Sequence, residues 1–219
     1  ARPFHSFRHA VDVLLSASSM LRLVQRDKPD ALGGDPMLVG ALLIAALAHD
    51  VNHPGCMNGF LSATGHPLAT TTAEQPATAI LERHHAAVAL ALLERPELDF
   101  MGGLPAEERA RFMTLVRDIV LATDVTTTVP RAKEFRALCE GGDDPAAELV
   151  LAMIIKAADI SNPARPLAVY SRWADGVMDE FFTQGDAKRV AGRPISMNCD
   201  READSVDAAQ VGFIAFLVG

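Results

Sequence analysis

The sequence predicts an all-α fold built as one domain, and three observations carry that prediction. Its residues are 49% hydrophobic but only 5% aromatic, with Ala, Leu and Val dominant, a balance that favours packed helices over sheets. Long stretches place apolar residues on one helical face, and neither an alternating strand pattern nor a repeated segment stands out. Asp, Asn, Pro and Gly punctuate those stretches where helices start and stop. A chain of 219 residues is long enough for one enclosing core.

Each element follows from its own residues. Val11 to Val24 keeps one apolar face and is expected to end before the loop Asp27 to Pro29. Asp35-Pro36 offers a capping acceptor and a first-turn proline to a helix spanning Met37 to Ala48. That run contains Gly40, meets His49-Asp50 at its end, and is too short to cross a bilayer, so it reads as a buried core helix. The Thr- and Pro-rich tract from Gly65 to Pro76 reads as a loop. Helical spacing resumes from Ala77 to Leu93, where Arg95-Pro96 stops it. Leu104-Pro105-Ala-Glu-Glu opens a helix that continues through Phe112 to Thr123. A turn from Gly141 to Pro145 precedes the buried helix Ala146 to Ile160, which Asn162-Pro163 ends. Leu167 to Phe182 is amphipathic, and Ala208 to Leu217 begins a last helix.

A net charge of -8 makes a nucleic-acid partner a poor fit, although a small phosphate ester can bind where cations neutralise the local field. Cys56, Cys139 and Cys199 are odd in number and widely spaced, which suits three free thiols in a reducing, cytoplasmic setting. No targeting or transmembrane segment opens the chain. Its abrupt start at Ala1-Arg2-Pro3 reads as a cut fragment, 1–219, of a longer parent with possible regulatory domains or membrane-associating regions elsewhere.

The chemistry concentrates in Ala-Leu-Ala-His49-Asp50-Val-Asn-His53-Pro-Gly. Adjacent imidazole and carboxylate donors can reach one cation or straddle two, and the four-residue offset returns His53 to about the same face of a helical turn. His5 and His9 stand four apart near the start of the chain, and Asp159 ends a long apolar helix. Together they form a mixed imidazole and carboxylate set suited to zinc plus a harder ion. Alone, the His5/His9 pair would read as surface or core histidines. In company with buried carboxylates that need a partner, it reads as part of a metal site. His84 and His85 are left outside that set, as a structural hydrogen bond and a solvent-facing ring. His66 reads as exposed, Asp143-Asp144 as a solvated turn, and Tyr170 and Trp173 as core or pocket wall.

These motifs, with Leu81-Glu82-Arg-His84-His85, Ile119-Val-Leu-Ala-Thr123-Asp124, Lys156-Ala-Ala-Asp159-Ile-Ser-Asn162-Pro163, Tyr170-Ser-Arg-Trp173, Met178-Asp-Glu-Phe-Phe-Thr-Gln-Gly-Asp186 and Ser205-Val-Asp-Ala-Ala-Gln210-Val-Gly-Phe213-Ile, run in order along the chain. In them the sequence resembles the catalytic domain of class I cyclic nucleotide phosphodiesterases, a branch of the HD-type metal phosphohydrolases. The resemblance implies a compact multi-helix domain, truncated at both ends, that hydrolyses a 3′,5′-cyclic purine nucleotide to the 5′-monophosphate through a two-metal bridging hydroxide. It implies His9, His49, Asp50 and Asp159 as ligands of a tight Zn2+, with Asp50 bridging to Mg2+ or Mn2+. His53, Glu82 and Thr123 would hold waters of the second ion, and His5 would be the general acid. Gln210 and Phe213 would hold and stack the purine, with Val177 and Ile160 completing its slot. Asn162, in Asn162-Pro163, resembles the cAMP-preferring branches. The family commonly writes Tyr-His-Asn where this chain has Phe4-His5-Ser6, Asp at Asn52, and Tyr-Asn-Asp in the loop from Thr70 to Pro76. Two alternatives stand beside this reading: another HD-type nucleotide phosphohydrolase, against which the Gln210 to Phe213 motif argues, and a catalytically silent domain that binds a cyclic nucleotide or a partner.

Overall fold

The computed structural model describes residues 2–70 and 79–218, and among them the chain forms α-helices and short 3-10 turns with no strand. The helices are α1 Phe7–Asp27, α2 Pro36–Ala48, α3 Asn58–Thr64, α4 Pro67–Thr70, α5 Ile80–Leu93, α6 Ala106–Leu121, α7 Thr128–Gly141, α8 Ala147–Asp159, α9 Leu167–Val190 and α10 Val206–Val218. None of them is long and apolar enough to cross a membrane.

Helix α2 is the centre of the packing. Asp35 caps it by accepting a hydrogen bond from the Met37 amide, and Pro36 occupies the first turn, where a missing N–H costs nothing. Apolar residues on all its sides suit a helix enclosed by α1, α5, α6 and α8. Leu42 of α2, Val116 of α6 and Leu151 and Ile155 of α8 are fully buried there. This core holds α1, α2 and α8 in register, so that the start of α1 and the ends of α2 and α8 meet at one place.

Several boundaries differ from expectation for physical reasons. Helix α1 begins at Phe7 rather than Val11, because Arg8 and His9 in its first turn hide the helix from an apolar pattern. Helix α9 runs to Val190 rather than Phe182, since Gln184 and Gly185 are buried against the segment around Cys199. Helices α3 and α7 were not anticipated. In α7 no residue is fully buried, its inward face being the half-buried Ala132, Phe135 and Leu138 set among charged residues, and Gly142 ends it in the left-handed conformation that glycine adopts freely. Helix α5 begins at Ile80 after Ala79 at φ 56°, and the expected start at Ala77 lies outside the described residues. The expected loop from Gly65 to Pro76 contains the short helix α4 and otherwise lies partly outside the described residues, as does most of the Thr70 to Pro76 departure from the family pattern. The three cysteines are free thiols, with Cys199 buried and Cys139 exposed.

Candidate metal centre and active site

His9 comes from the first turns of α1, His49 caps the end of α2, Asp50 follows it, and Asp159 is the last residue of α8. His9 is 1% exposed and His49 0%, so both imidazoles have left solvent. His49 Nδ1 lies 2.9 Å from the Ala46 carbonyl and donates to it, which leaves the Nε2 lone pair facing the cluster. From His9 Nε2 the distances are 3.2 Å to Asp159 Oδ1, 3.5 Å to Asp50 Oδ2 and 3.3 Å to His49 Nε2. From His49 Nε2 they are 3.2 Å to Asp50 Oδ2 and 3.4 Å to Asp159 Oδ1. Donors at zinc bond lengths of about 2.0–2.2 Å around a tetrahedron stand about 3.3–3.6 Å apart, so this spacing fits one ion shared by all four residues.

The electrostatics describe a site that wants positive charge. Burial works against ionising Asp50 and Asp159, yet His49 beside the first and Lys156 and His49 beside the second hold both carboxyls well below the usual range. Burial alone would lower His49, but the Asp50 charge and the hydrogen bonds to both aspartates raise it well above the ordinary imidazole value. Lys156, itself buried, donates to the Thr123 carbonyl at 2.5 Å and lies 3.4 Å from Asp159 Oδ2, while Asp159 Oδ1 faces the histidines. The carboxylate is thereby divided between two cations' worth of partners.

His5 stands beside this cluster, held by a residue the sequence reading did not select. Glu180 on α9 accepts hydrogen bonds from the Phe4 and His5 amides through Oε1 at 2.9 and 3.0 Å, and its Oε2 lies 2.5 Å from His5 Nδ1. Gly176, one turn earlier on α9, permits this approach, because a Cβ there would meet the Pro3 carbonyl oxygen at 3.1 Å. Burial pulls the His5 pKa down, but the Glu180 hydrogen bond and the charges of Asp50, Glu180 and Asp159 outweigh it and raise the value above 6.5. The shift favours the protonated imidazolium, the form a proton donor needs.

The His53 ring stacks on His5 with centroids 3.7 Å apart and planes 12° from parallel. Its Nδ1 accepts from the Gly55 amide at 2.9 Å, and burial together with the neighbouring His5 charge pushes its pKa down to about 3. The turn that carries it places Asn52 at φ 61°, a left-handed conformation that Asn adopts more readily than most residues, with its amide 3.2 Å from His84 Nε2. Glu82 accepts from Asn58 Nδ2 at 3.0 Å, and burial raises its pKa. The Thr123 hydroxyl donates to the Val120 carbonyl at 2.8 Å, keeping its lone pairs for another donor. His85, left out of the expected set, is buried with Nε2 3.8 Å from Asp50 Oδ1, and burial pushes its pKa down to about 4. His84 is the partly exposed ring of the pair.

Gln210 lines a groove of about 360 Å³ between α9 and α10, with Tyr170, Ala174, Val206 and Ile214 among its walls, and the Tyr170 hydroxyl donates to Gln210 Oε1 at 2.8 Å. Val177 belongs to the apolar cluster that includes Met178, Phe182 and Val206, Phe213 and Ile160 are half-buried, and Asn162 is buried in the turn after α8. Tyr170 is therefore the residue joined to Gln210, a link that its place in the quoted Tyr170 to Trp173 motif did not reveal.

A helical fold that gathers two buried imidazoles and two carboxylates at the spacing of one shared ion, beside a histidine bonded to Glu180, defines a candidate metal centre. The chain belongs to the 3′5′-cyclic nucleotide phosphodiesterase family, whose model matches residues 4–219. It is 35% identical over 229 aligned residues to Drosophila melanogaster 3′,5′-cyclic-AMP phosphodiesterase isoform F, covering 99% of this chain and 33% of that protein. The same identity relates it to isoforms N/G, of which it covers 22%. The solved structure of LmjPDEB1 in complex with IBMX superposes with a TM-score of 0.88 at 30% identity, covering 99% of this chain and 65% of the other. The chain thus spans about a third or less of these curated relatives.

Proposed function

We propose that this chain hydrolyses a 3′,5′-cyclic purine nucleotide to its 5′-monophosphate, with cAMP preferred over cGMP. The observation that carries the reading is the placement of four donors at the spacing of one shared ion next to a histidine held by Glu180. In this reading His9, His49, Asp50 and Asp159 hold Zn2+, and Asp50 also serves Mg2+ or Mn2+. Bound ions of this kind neutralise the phosphodiester and supply a nucleophile near neutral pH.

The remaining work falls to the side chains. His5 donates its proton to the leaving ribose oxygen, and the Glu180 hydrogen bond favours its protonated form. His53, neutral and bonded through Nδ1 to Gly55, presents an N–H toward the centre, while Thr123 and Glu82 present acceptors. Each can order water around the second ion. Gln210 holds the purine edge and Phe213 stacks on its face, with Val177 and Ile160 as apolar walls. The cAMP preference draws on Asn162-Pro163, on the names of the Drosophila relatives, and on Tyr170, whose bond to Gln210 Oε1 favours one orientation of an amide that could otherwise serve either base.

Hydrolysis of cAMP and cGMP measured with and without a chelator tests the reading. Chelator-sensitive turnover with the higher specificity constant for cAMP is expected. Binding without turnover in metal-replete protein would favour the silent domain, and turnover only of another nucleotide would favour a different HD-type phosphohydrolase.

A further inference from the structure

We propose that Arg165 is a positioning residue for the nucleotide, fixing the turn that carries Asn162 to the helix that carries His9. The inference rests on the reading that Asn162 meets the base. It starts from the turn after α8, where Pro163 and Pro166 restrict the backbone and Arg165 is held extended at φ -80° and ψ 159°. The Arg165 amide donates to the Asn162 carbonyl at 3.1 Å, and the Ala164 amide to the Ser161 carbonyl at 3.0 Å. The Arg165 side chain reaches α1, where its Nη2 donates to Asp12 Oδ1 at 2.9 Å and to Ser16 Oγ at 2.6 Å. Asp12 stands three residues after His9, and Asn162 three after Asp159, so the link joins the stretches just beyond two of the clustered donors.

Ser16 closes the link. Its Oγ donates to the Asp12 carbonyl at 2.8 Å and accepts from Arg165 and, at 3.2 Å, from Ser161 Oγ, so its one proton and both lone pairs are in use. A connected set of this kind fixes direction as well as distance. Packing does not call for it, because Val13 and Ala17 of α1 and Leu151 and Ile155 of α8 are fully buried in one core that already joins the two helices. Stability does not account for it either. The Arg165 and Asp12 side chains are 34% and 22% exposed, where an ion pair contributes little. The buried Arg165 Nε also has no hydrogen-bond partner among the described residues, a cost that a purely stabilising contact would avoid. What the link adds is a fixed relation between Asn162 and the helix that carries His9.

Steady-state hydrolysis of cAMP by the metal-loaded protein of residues 1–219 separates this role from a structural one. Arg165→Met should raise KM for cAMP about threefold to tenfold, with kcat and zinc content within about twofold of the parent. Asp12→Ala removes the same link from the other side and should raise KM equally, and the double variant should be no worse than either alone. Arg165→Lys keeps a cation within reach of Asp12 and should recover most of the parent KM. A fall in kcat at unchanged KM would overturn the proposal, since it would mean that the link only supports the fold. Full additivity of Arg165→Met and Asp12→Ala would also overturn it, because Arg165 would then act without Asp12. Asn162→Ala separates the proposal from the reading beneath it. If its KM equals that of the parent, the base contact and this proposal fall together; if its KM rises and that of Arg165→Met does not, the proposal falls alone. A parent that turns over neither cAMP nor cGMP overturns both. If Arg165→Met does not fold, Asp12→Ala decides: a raised KM supports the link, and an unchanged one refutes it.

Discussion

Glu180→Gln should lower the pKa of His5 without dismantling its surroundings. The amide oxygen can still accept from the Phe4 and His5 backbone groups that now bond Oε1 at 2.9 and 3.0 Å. What disappears is the charge 2.5 Å from His5 Nδ1. A hydrogen bond to a charged group contributes about 1.5–3 kcal/mol, and its loss removes a support of the protonated ring, so the His5 pKa should fall. Burial, the largest influence on His5, then acts with less opposition. In the parent protein the raised pKa extends the protonated form to higher pH, and hydrolysis declines as pH climbs through that raised value. In the variant the declining limb moves to lower pH, and about 1.5–3 kcal/mol corresponds to a loss of about tenfold to a hundredfold on the alkaline side and much less in mild acid. Stability follows the same direction: the His5 contribution is complete below about 6.5 and is lost as pH rises through the folded-state value. Initial rates across the pH range, with zinc content measured on the same samples, decide the matter. A loss equal at every pH, or a loss of zinc, would refute the assignment of Glu180 as the residue that charges His5.

Three further outcomes follow from the geometry. Asp159→Ala and His49→Ala should each lose zinc and activity together, because each removes a donor from the four-residue cluster, and full zinc occupancy by elemental analysis in either would contradict the ligand set. Gly185→Ala should destabilise by about 1–3 kcal/mol, since a Cβ there would overlap the Cys199 carbonyl, and calorimetry should show a lower Tm by about 2–4 °C per kcal/mol. Amides of α10 should exchange with solvent faster than those of α2, because Val211 and Phe216 are 68% and 57% exposed whereas α2 is enclosed by core. Equal protection by hydrogen exchange mass spectrometry would show that α10 is anchored by more than its contact with α9.

The parts of the centre that could be read from the chain are those where chemistry breaks a packing pattern. A His-Asp pair at the end of an apolar helix and an aspartate at the end of another stand out because a core helix has no use for them unless something binds there. Residues that keep the pattern are harder to see. His85 lies four residues after Leu81 and four before Ala89, both buried, so helical spacing alone places it on the inward face while His84 turns partly outward. That spacing could have distinguished the two rings, whereas the approach of His85 to Asp50 needed the fold.

Glu180 follows the same logic with a further obstacle. It and Gln184 sit four apart on the buried side of α9, a polar pair where apolar residues would serve packing, and Gln184 lies beyond the point where the apolar stripe fades. The partner that justifies Glu180 is a backbone segment 175 residues earlier in the chain, so no local pattern could pair them. Helix α7 is the opposite case: its half-buried face of Ala132, Phe135 and Leu138 is thin and mixed with Arg131, a weak trace in the sequence, and it contributes none of the clustered donors of the centre. Legibility therefore tracks burial. Where a side chain is buried against its type, as with Asp159, His85 or Glu180, the sequence holds a signal of function, and the contact that satisfies it emerges only when α1, α2, α5, α8 and α9 bring their ends and faces together.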